Sequence, residues 1–530
     1  MKNITDLPNK DGETITISRE EYEALKAQNA ELSRQVERLI EMMKLARKKQ
    51  FGSSSEKTKY SALEELSLFD EPEFFSDERT PEPEVAEVQS HYRKKRSVAN
   101  DSLPEDLPVE VVEHVLPADE MSCAKCKEEL HAMGKEVVRK EVKIIPARVV
   151  ITEHVRYAYS CRNCEKTGIS VPVVKAPMPK AVISGSFASA EAVAHVMSQK
   201  FVMGIPLYRQ EQEFKRNGIL LSRQTISNWL LKCSADFLQS LYSELHKSLL
   251  AEPILHADET TVQVLHEAGK SAQAKSYMWL YRTGGDSNKP VVLYEYQPDR
   301  QAIRPKRFLN GFAGYLHTDG YTGYHNLPDN IIIVGCMAHV RRKFHDALQC
   351  LDEQDREDSL AFRGKQYCDK LFAIEKDLTK LMPQERYEQR QERSKPVLDE
   401  FLAWLKSQRV AKKSGIGLAV HYALNQWRYL FHYLLDGRIE ISNNRAERSI
   451  KPFVIGRKNF LFANTPRGAT ASAVMFSIIE TAKENGLNPY EYLVYIFKTA
   501  PNMDMTDPLQ LEKLLPWNAP AACRVMSAEK

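Results

Sequence analysis

Hydrophobic residues recur every seven positions near the N-terminus of the chain. Two such series run side by side over about three and a half heptads: Tyr22, Asn29, Val36 and Met43, and Leu25, Leu32, Leu39 and Ala46. Apolar residues at the a and d positions predict a coiled coil, and a polar Asn at one a position favours a fixed register and a dimer. Ser18 and Glu21 match a capping box, so the coil is predicted over residues 18–50. An amphipathic helix that packs on its own chain is the alternative.

The pattern changes to alternating and buried strands after residue 250. Strands are predicted in five segments, at Ile254–Leu265, Ser276–Thr283, Pro290–Tyr296, Ala313–Thr318 and Ile331–Gly335. Helices are predicted at Asp299–Leu309 and from Ala338 onward, and a short turn or helix is predicted at Gly320–Asn326. The order β-β-β-α-β-α-β is that of the ribonuclease H fold. We therefore predict an α/β, ribonuclease H-like domain over residues 251–470.

Helical patterns occupy the rest of the C-terminal two thirds. A helical insertion is predicted at about residues 346–440 inside the α/β domain, and a helical region at 471–530. Residues 181–250 resemble a helix-turn-helix, because Asn217-Gly218 separates two helices and Ser222 caps the second. In that arrangement Arg223, Gln224 and Asn228 would face a DNA groove. An ordinary helical hairpin fits the same pattern.

Charge is segregated although the net charge of the 530-residue chain is only +3. Residues 44–59 carry six basic and one acidic side chain, whereas residues 61–90 carry ten acidic and one basic. Together with three prolines, this composition predicts a disordered linker over residues 51–108. The N-terminus has no apolar signal region and no uncharged stretch is long enough to span a membrane, so we expect a cytoplasmic protein.

Two C-x-x-C pairs stand out among the nine cysteines. Cys123 and Cys126 form the first pair, and Cys161 and Cys164 form the second. The stretch Val137–Tyr159 between them alternates like a β-hairpin. Two such pairs joined by a hairpin predict a zinc ribbon over residues 109–177, in which four thiolates bind one structural Zn²⁺. A pair of redox dithiols is the main alternative, but no βαβ pattern surrounds the pairs. The other five cysteines are expected to be ordinary buried residues.

Carboxylates occur at two strand positions in otherwise apolar surroundings. Asp258 lies in the first strand (HADET), and Asp319 follows the fourth (HTDGY). In the predicted fold these two positions meet at one edge of the sheet. Buried carboxylates need a charged partner, and a divalent metal ion is the natural one. Glu447 is the candidate for a third carboxylate, and Glu259 and Glu440 rank below it.

Basic residues surround the third carboxylate. Residues 441–470 contain six basic side chains and no acidic one except Glu447: Arg445, Arg448, Lys451, Arg457, Lys458 and Arg467. A second basic group, Arg341, Arg342 and Lys343, begins the helix after the fifth strand. Both groups are suited to DNA phosphates, although a solvated basic surface has the same composition.

In its motif order, the sequence resembles the insertion sequence 66 family of transposases over nearly the whole chain. The matching pieces are the heptads, the paired cysteines, HADET, HTDGY, GCMAHVRRKF and NNRAERSIKP followed by IGRKNFLF. The resemblance implies that Asp258, Asp319 and Glu447 are a DDE catalytic triad that binds two Mg²⁺ or Mn²⁺ ions. Many DDE enzymes carry Lys or Arg seven residues after the Glu, where this chain has Val454, so Lys451 or Arg448 would have to serve.

The expected function is therefore that of a DNA transposase. It would bind the terminal inverted repeats of its element, cleave phosphodiesters and transfer strands to target DNA. Its expected partners are DNA, a second copy of the chain bound through the coiled coil, and accessory proteins of the same element, and it would associate with the nucleoid when bound to DNA. Two alternatives remain at this stage: a metal-dependent nuclease of the same fold, and a non-catalytic DNA-binding regulator.

Overall fold

The structure is a computed structural model that describes residues 4–8, 14–18, 20–26, 28, 149–160, 166 and 174–525. Most of the predicted coiled coil, the predicted linker at 51–108 and the four paired cysteines lie outside the described residues. Residues Pro177–Arg524 belong to one compact unit, and residues 149–176 belong to another. Within the described part of the chain, no helix is both long enough and apolar enough to cross a membrane.

The N-terminal residues contain a hairpin that the sequence pattern did not indicate. Strand β1 (Ile4–Pro8) pairs in antiparallel fashion with β2 (Thr14–Ser18), and Ile4 lies opposite Ser18. Residues 20–26 are helical. Ser18 ends β2 and Arg19 lies outside the described residues, so the predicted cap at Ser18 stays a prediction.

Of the stretch 137–159 that was predicted to alternate like a β-hairpin, residues 137–148 lie outside the described residues, and most of the described part is not strand. Only β3 (Ala158–Tyr159) is a strand between residues 149 and 160, and it pairs with β4 (Val174–Lys175). Residues 149–157 are not part of a strand, and Ile151 is 94% exposed. A strand requires a paired neighbour, and the described pairing begins only at Ala158.

A five-stranded mixed sheet forms the centre of the large unit. Its strands are β5 (Ile254–Gln263), β6 (Lys275–Thr283), β7 (Val292–Gln297), β8 (Gly314–His317) and β9 (Ile331–Val334). They lie in the order β7-β6-β5-β8-β9, with β6 antiparallel to both of its neighbours and β5, β8 and β9 parallel. All five strands lie where the sequence pattern predicts them, and this order places the first and fourth strands side by side.

Between residues 177 and 250, four α-helices precede the sheet: α1 (Ala190–Phe201), α2 (Leu207–Arg216), α3 (Arg223–Cys233) and α4 (Gln239–Leu250). The Ser222 side chain accepts a hydrogen bond from the Thr225 backbone N–H, as the sequence predicts. Helices α3 and α4 are joined by a π-helical turn, Ser234–Leu238. Their apolar faces share a core with the sheet.

Helices also fill the chain after β7. They are α5 (Ile303–Phe308), α6 (Met337–Leu348), α7 (Leu360–Leu378), α8 (Pro383–Gln389), α9 (Lys395–Ser407), α10 (Gly415–Leu430), α11 (Asn444–Phe460), α12 (Pro466–Glu484), α13 (Pro489–Thr499) and α14 (Pro508–Leu514). The first of these is shorter than the predicted helix at Asp299–Leu309. The helices from α6 to α10 have an aromatic core of their own that includes Phe344, Phe401 and Trp404.

Helix α12 covers the open edge of the sheet. The Thr481 hydroxyl accepts a hydrogen bond from the Val292 N–H at 3.0 Å and donates one to the Val292 carbonyl at 2.9 Å. The Ser477 hydroxyl accepts from the Tyr294 N–H at 2.7 Å. An uncovered edge strand presents unpaired backbone groups to other chains. Two helical side chains therefore replace the partner strand that β7 lacks.

Candidate active site

The first two predicted acids lie at the same end of adjacent parallel strands. In the register of β5 and β8, His256 lies opposite His317. Asp258 and Asp319 each follow one of these histidines by two residues, so H-x-D occurs on both chain segments. Asp258 is within β5, whereas Asp319 lies in the loop just after β8. The parallel pairing therefore brings the two carboxylates to one sheet edge.

The third predicted acid, Glu447, lies on the helix that follows the helical insertion in the sequence. Glu447 lies in the first turn of α11, which Asn443 precedes as the N-cap residue. The fully buried Asn443 side chain donates from Nδ2 to the Ala257 carbonyl at 2.9 Å. Ala257 is the residue before Asp258, so one amide ties the start of the Glu447 helix to the strand that carries Asp258.

A pair of buried histidines completes this connection. His256 Nδ1 donates to Asn443 Oδ1 at 2.9 Å, because the amide nitrogen of Asn443 is already used as a donor. His317 Nε2 donates to the Glu440 carbonyl at 2.9 Å, and the two imidazole rings stack with centroids 5.0 Å apart. Burial lowers the pKa of each histidine to about 3. Both rings are therefore neutral near pH 7 and act as a structural layer beneath the acids.

The loop that carries Asp319 is held by the insertion helix α10. The Tyr422 hydroxyl donates to the Asp319 carbonyl at 2.7 Å, and Asp319 Oδ1 accepts from the Tyr321 N–H at 2.9 Å. Gly320 has a φ of +94°, and a Cβ there would lie 2.9 Å from the Gln426 side chain. Only glycine adopts this turn without strain, so Gly320 allows α10 to approach the site closely.

Negative charge accumulates around Asp258 without a balancing cation on its carboxylate. Burial raises the pKa of Asp258 well above its usual range, and the negative charges of Glu259, Asp319 and Glu447 raise it further. One hydrogen bond opposes this shift, since Asp258 Oδ1 accepts from the Glu259 N–H at 2.8 Å. The folded protein thus favours a protonated Asp258 until a positive charge binds beside it.

We expect Asp258→Asn to stabilise the protein when no magnesium is added. A carboxyl whose pKa is raised by folding loses stability as the pH rises from the unfolded pKa, about 3.9, toward the raised folded value. The neutral amide has no such dependence, so the gain in free energy of unfolding should be larger at pH 8 than at pH 5. Urea denaturation of the chain at both pH values, without added metal ions, measures it. An equal or smaller gain at pH 8 would contradict the electrostatic account.

Glu259 and Glu440, the two alternatives to Glu447 as the third acid, already form ion pairs with arginine side chains. The Glu259 carboxylate is 1% exposed, pairs with Arg300 and accepts a hydrogen bond from the Tyr324 hydroxyl at 2.6 Å. Glu440 Oε1 accepts from Arg445 Nε at 2.7 Å. Each of these carboxylates has a cationic partner within the protein, which removes the electrostatic need for a metal ion.

Glu447 has one engaged oxygen and one that is not hydrogen-bonded. Oε2 lies 3.3 Å from Arg342 Nη2. Oε1 lies 3.7 Å from His339 Nδ1, and both of these atoms are buried without a hydrogen-bond partner. Among the described residues, the one group of three whose ligand atoms all lie within 4.8 Å of one another is Cys336, His339 and Glu447. The three predicted catalytic acids share an edge but are spread more widely, as suits two ions about 3.5–4 Å apart.

The predicted DNA-binding residues separate into engaged and exposed sets. Arg341 pairs with Asp369 at 2.6 Å, and Arg445 pairs with Glu440. The Arg457 guanidinium donates to the Thr261 carbonyl on β5. The other candidates lie at the surface or are half-buried: Arg223, Gln224, Asn228, Lys343, Arg448 and Lys458 are exposed and Lys451 is half-buried. With Arg342, which lies beside Glu447, four of the predicted cations thus pair with a carboxylate or a carbonyl of the same chain.

Several residues of the site were not identified from the sequence. The buried layer of His256, His317 and Asn443 had one available signal, the repeated H-x-D. Cys336 and His339 had another, since C-x-x-H is a metal-ligand spacing, although all five cysteines outside the pairs were expected to be ordinary buried residues. Those five are indeed buried. The position of Cys336 beside His339 and Glu447 distinguishes it from the other four.

Models of known protein families match four segments of the chain. The family model described as "Transposase IS66 family" matches residues 185–471, and "IS66 C-terminal element" matches 477–517. The "zinc-finger binding domain of transposase IS66" matches residues 120–165, which include all four paired cysteines. The model described as "Transposase C of IS166 homeodomain" matches residues 38–112.

Similar full-length proteins occur in Sinorhizobium fredii (strain NBRC 101917 / NGR234). The protein printed as "Uncharacterized protein y4jD" is 31% identical over 430 residues, which cover 78% of this chain and 81% of that protein. "Uncharacterized protein y4qI" is 29% identical over 525 residues, which cover 94% and 92%. The similarity therefore extends over most of both chains.

Proposed function

Because the chain belongs to the IS66 family of transposases, we propose that it binds the terminal inverted repeats of its own element and cleaves and joins DNA with two divalent metal ions. The observation that carries this proposal is the convergence of Asp258, Asp319 and Glu447 at one edge of the sheet. Burial raises the pKa of Asp258, and the negative charges of Glu259, Asp319 and Glu447 raise it further; bound cations would offset both effects.

The strand order supports a ribonuclease H-like catalytic domain. The first three strands form an antiparallel meander, and the fourth and fifth add in parallel beside the first. In that fold the acids of the first and fourth strands meet, which is the position of Asp258 and Asp319 here. The helical insertion between β9 and α11 accounts for most of the separation of 128 positions between Asp319 and Glu447.

The three carboxylates are suited to hard divalent ions. Oxygen ligands of this kind are preferred by Mg²⁺ and Mn²⁺, and Asp258, Asp319 and Glu447 would hold two such ions between them. Two bound ions supply a polarised nucleophile and stabilise the attacking and leaving oxygens. The protein's own part is positional: the buried histidines and Asn443 hold the three chain segments together, while Tyr422 holds the Asp319 loop.

Exposed cations beside this edge are suited to the DNA backbone. Arg448 and Lys458 on α11 and Lys343 on α6 are exposed. They would contact phosphates, and half-buried Lys451 is the other candidate for the contact usually made seven residues after the Glu. Arg342, which lies beside Glu447, would contact DNA only if it left that carboxylate. The exposed start of α3, with Arg223, Gln224 and Asn228, would enter a groove.

An in vitro reaction on the element's own ends tests the proposal. Full-length protein is incubated with duplex DNA carrying the terminal repeat, with magnesium or manganese, and a second reaction supplies a pre-cut end with a target plasmid. We expect cleavage at the repeat and joining of the pre-cut end. Cleavage without joining would make the protein a metal-dependent nuclease, and repeat binding without either reaction would make it a DNA-binding regulator.

We propose further that the N-terminal regions serve assembly. The heptads at Tyr22–Ala46 would form a parallel dimer, which a complex of two element ends requires. Accessory proteins of the same element would join that complex. Cys123, Cys126, Cys161 and Cys164 would hold one structural Zn²⁺, which leaves no open coordination position for catalysis.

For the zinc ribbon we expect the double variant Cys161→Ser, Cys164→Ser to lose one equivalent of zinc per chain. A structural zinc site contributes folding free energy directly, so the ribbon should also become sensitive to limited proteolysis. Elemental analysis of purified full-length protein measures the metal. Cys350→Ser, Cys368→Ser is the matched control, because those two buried cysteines belong to neither C-x-x-C pair. An unchanged zinc content in the ribbon variant would overturn the assignment.

A further inference from the structure

The N-terminal turn of α6 places a thiol and an imidazole on the same side of one helix end. Cys336 is the N-cap residue of α6, and His339 lies in its first turn. Their ligand atoms and a Glu447 oxygen all lie within 4.8 Å of one another. A Zn²⁺ ion binds its ligands at about 2.0–2.3 Å and so bridges atoms up to about 4.5 Å apart. The three donors are close to that separation already.

Two of the three donor atoms have no hydrogen bond. His339 Nδ1 and Glu447 Oε1 are buried and unpartnered, which is costly for polar atoms. The third donor, Cys336 Sγ, accepts a hydrogen bond from the Asn443 backbone N–H at 3.1 Å. A backbone N–H donated to sulfur is the kind of outer contact that stabilises a metal-bound thiolate. Burial raises the pKa of the Cys336 thiol to about 12, and the charge of Glu447 adds to this, although backbone N–H groups at the start of α6 oppose the shift. The thiolate therefore forms when a cation binds beside it.

We propose that Cys336, His339 and Glu447 form a second metal site, which binds a borderline transition-metal ion such as Zn²⁺. Thiolate and imidazole ligands favour such ions over Mg²⁺, which prefers oxygen ligands. Binding releases the thiol proton. The His339 and Glu447 side chains are 20% and 26% exposed, so a water molecule can reach a fourth coordination position.

The site shares Glu447 with the proposed catalytic centre, and in this respect the inference rests on the proposed function. A Zn²⁺ ion that binds Glu447 Oε1 occupies a carboxylate oxygen that the catalytic ions would otherwise use. Zinc at this site therefore inhibits magnesium-dependent cleavage. The same enzyme would be active at low free zinc and inactive when zinc is abundant.

Metal content decides the proposal without reference to activity. Full-length wild type, Cys336→Ser, His339→Ala and the control Cys350→Ser are purified with added zinc, desalted and analysed for zinc, with thermal unfolding as the check on folding. We expect Cys336→Ser and His339→Ala each to contain one equivalent less than wild type and Cys350→Ser to contain the same. With Co²⁺ in place of Zn²⁺, the wild type minus Cys336→Ser difference spectrum should show a single-thiolate charge-transfer band.

Equal zinc in all four folded proteins would overturn the proposal. A double variant that lacks the ribbon cysteines, Cys161→Ser, Cys164→Ser, provides a second measurement, and it should retain one equivalent that Cys336→Ser then removes. If zinc is lost in Cys336→Ser but Glu447→Gln still cleaves DNA, the metal site stands and the catalytic role of Glu447 fails. If Glu447→Gln abolishes cleavage while zinc content is the same in every variant, the catalytic role stands and the zinc site fails.

Discussion

Replacement of Asp258 or Asp319 by Asn, or of Glu447 by Gln, is expected to reduce metal-dependent DNA cleavage at least about a thousandfold. A metal ion contributes several kcal/mol of transition-state stabilisation, and each 1.36 kcal/mol corresponds to about a tenfold change in rate. Loss of one negative ligand weakens the binding of both ions. Single-turnover cleavage of the element's own end measures the effect, over a range of magnesium concentrations.

Glu259→Gln and Glu440→Gln are the matched controls for these substitutions. Each removes one carboxylate charge near the same edge, but these carboxylates are held by Arg300 and Arg445. We expect the controls to lose far less activity and to keep the magnesium dependence of the wild type. Near-normal turnover of Glu447→Gln together with loss of cleavage in Glu440→Gln would show that Glu440, not Glu447, is the third ligand.

A measurement of DNA binding distinguishes variants that lose only catalysis from variants that no longer assemble on DNA. Phosphate contacts come from cations, and the acid variants remove negative charge, so binding to the terminal repeat should be unchanged or slightly tighter. An electrophoretic mobility shift with each variant measures it. A variant that loses both binding and cleavage would indicate misfolding, and its thermal unfolding would then differ from wild type.

Arg390→Ala is expected to lower the free energy of unfolding by about 3–5 kcal/mol. The Arg390 side chain is 1% exposed and makes a two-pronged ion pair with Glu375, at 2.9 and 2.6 Å. It also donates to the carbonyls of Tyr433, Asp436 and Ile439. Removal of the guanidinium leaves a mostly buried carboxylate and three carbonyl groups without their donor. Buried groups that lose a charged partner in this way are strongly destabilising.

Arg393→Ala is the matched control for this substitution. Arg393 lies in the same segment and pairs with Asp377 at 2.7 Å, but the two side chains are 39% and 62% exposed. An exposed ion pair of this kind contributes at most about 1 kcal/mol. Urea denaturation of both variants compares them directly. Equal losses in the two variants would contradict the role assigned to burial.

We expect Arg390→Ala to affect the active site as well as the stability of the protein. Arg390 binds the carbonyls of Asp436 and Ile439, which lie just before Glu440 and the cap residue Asn443. That stretch leads the chain from the helical insertion back to the sheet. We therefore expect Arg390→Ala to weaken cleavage at temperatures where the protein remains folded, through loss of order at Glu447. Arg393→Ala should cleave normally.

The sequence by itself determined the strands and two of the acids. Local patterns carried this information, because alternation and buried apolar runs depend only on neighbouring residues. Asp258 and Asp319 were conspicuous as charges in apolar strands, and parallel pairing of the two strands was enough to bring them together. The helix N-cap at Ser222 could be predicted for the same reason, because an N-cap is a hydrogen bond between residues about three positions apart.

Only the tertiary structure decided how the third acid is placed and which cations are available. The position of Glu447 depends on hydrogen bonds between the Asn443 side chain and residues nearly 190 positions away. No local sequence pattern encodes such contacts. The six cations of residues 441–470 cannot be distinguished in the sequence. In the structure, Arg445 pairs with Glu440 and Arg457 donates to the Thr261 carbonyl, whereas Arg448 is exposed. Charge composition is a local property, whereas the partner of each charge is set by the fold. The neutral state of His256 and His317 has the same origin, since burial of both rings arises only when β5, β8 and α11 pack together.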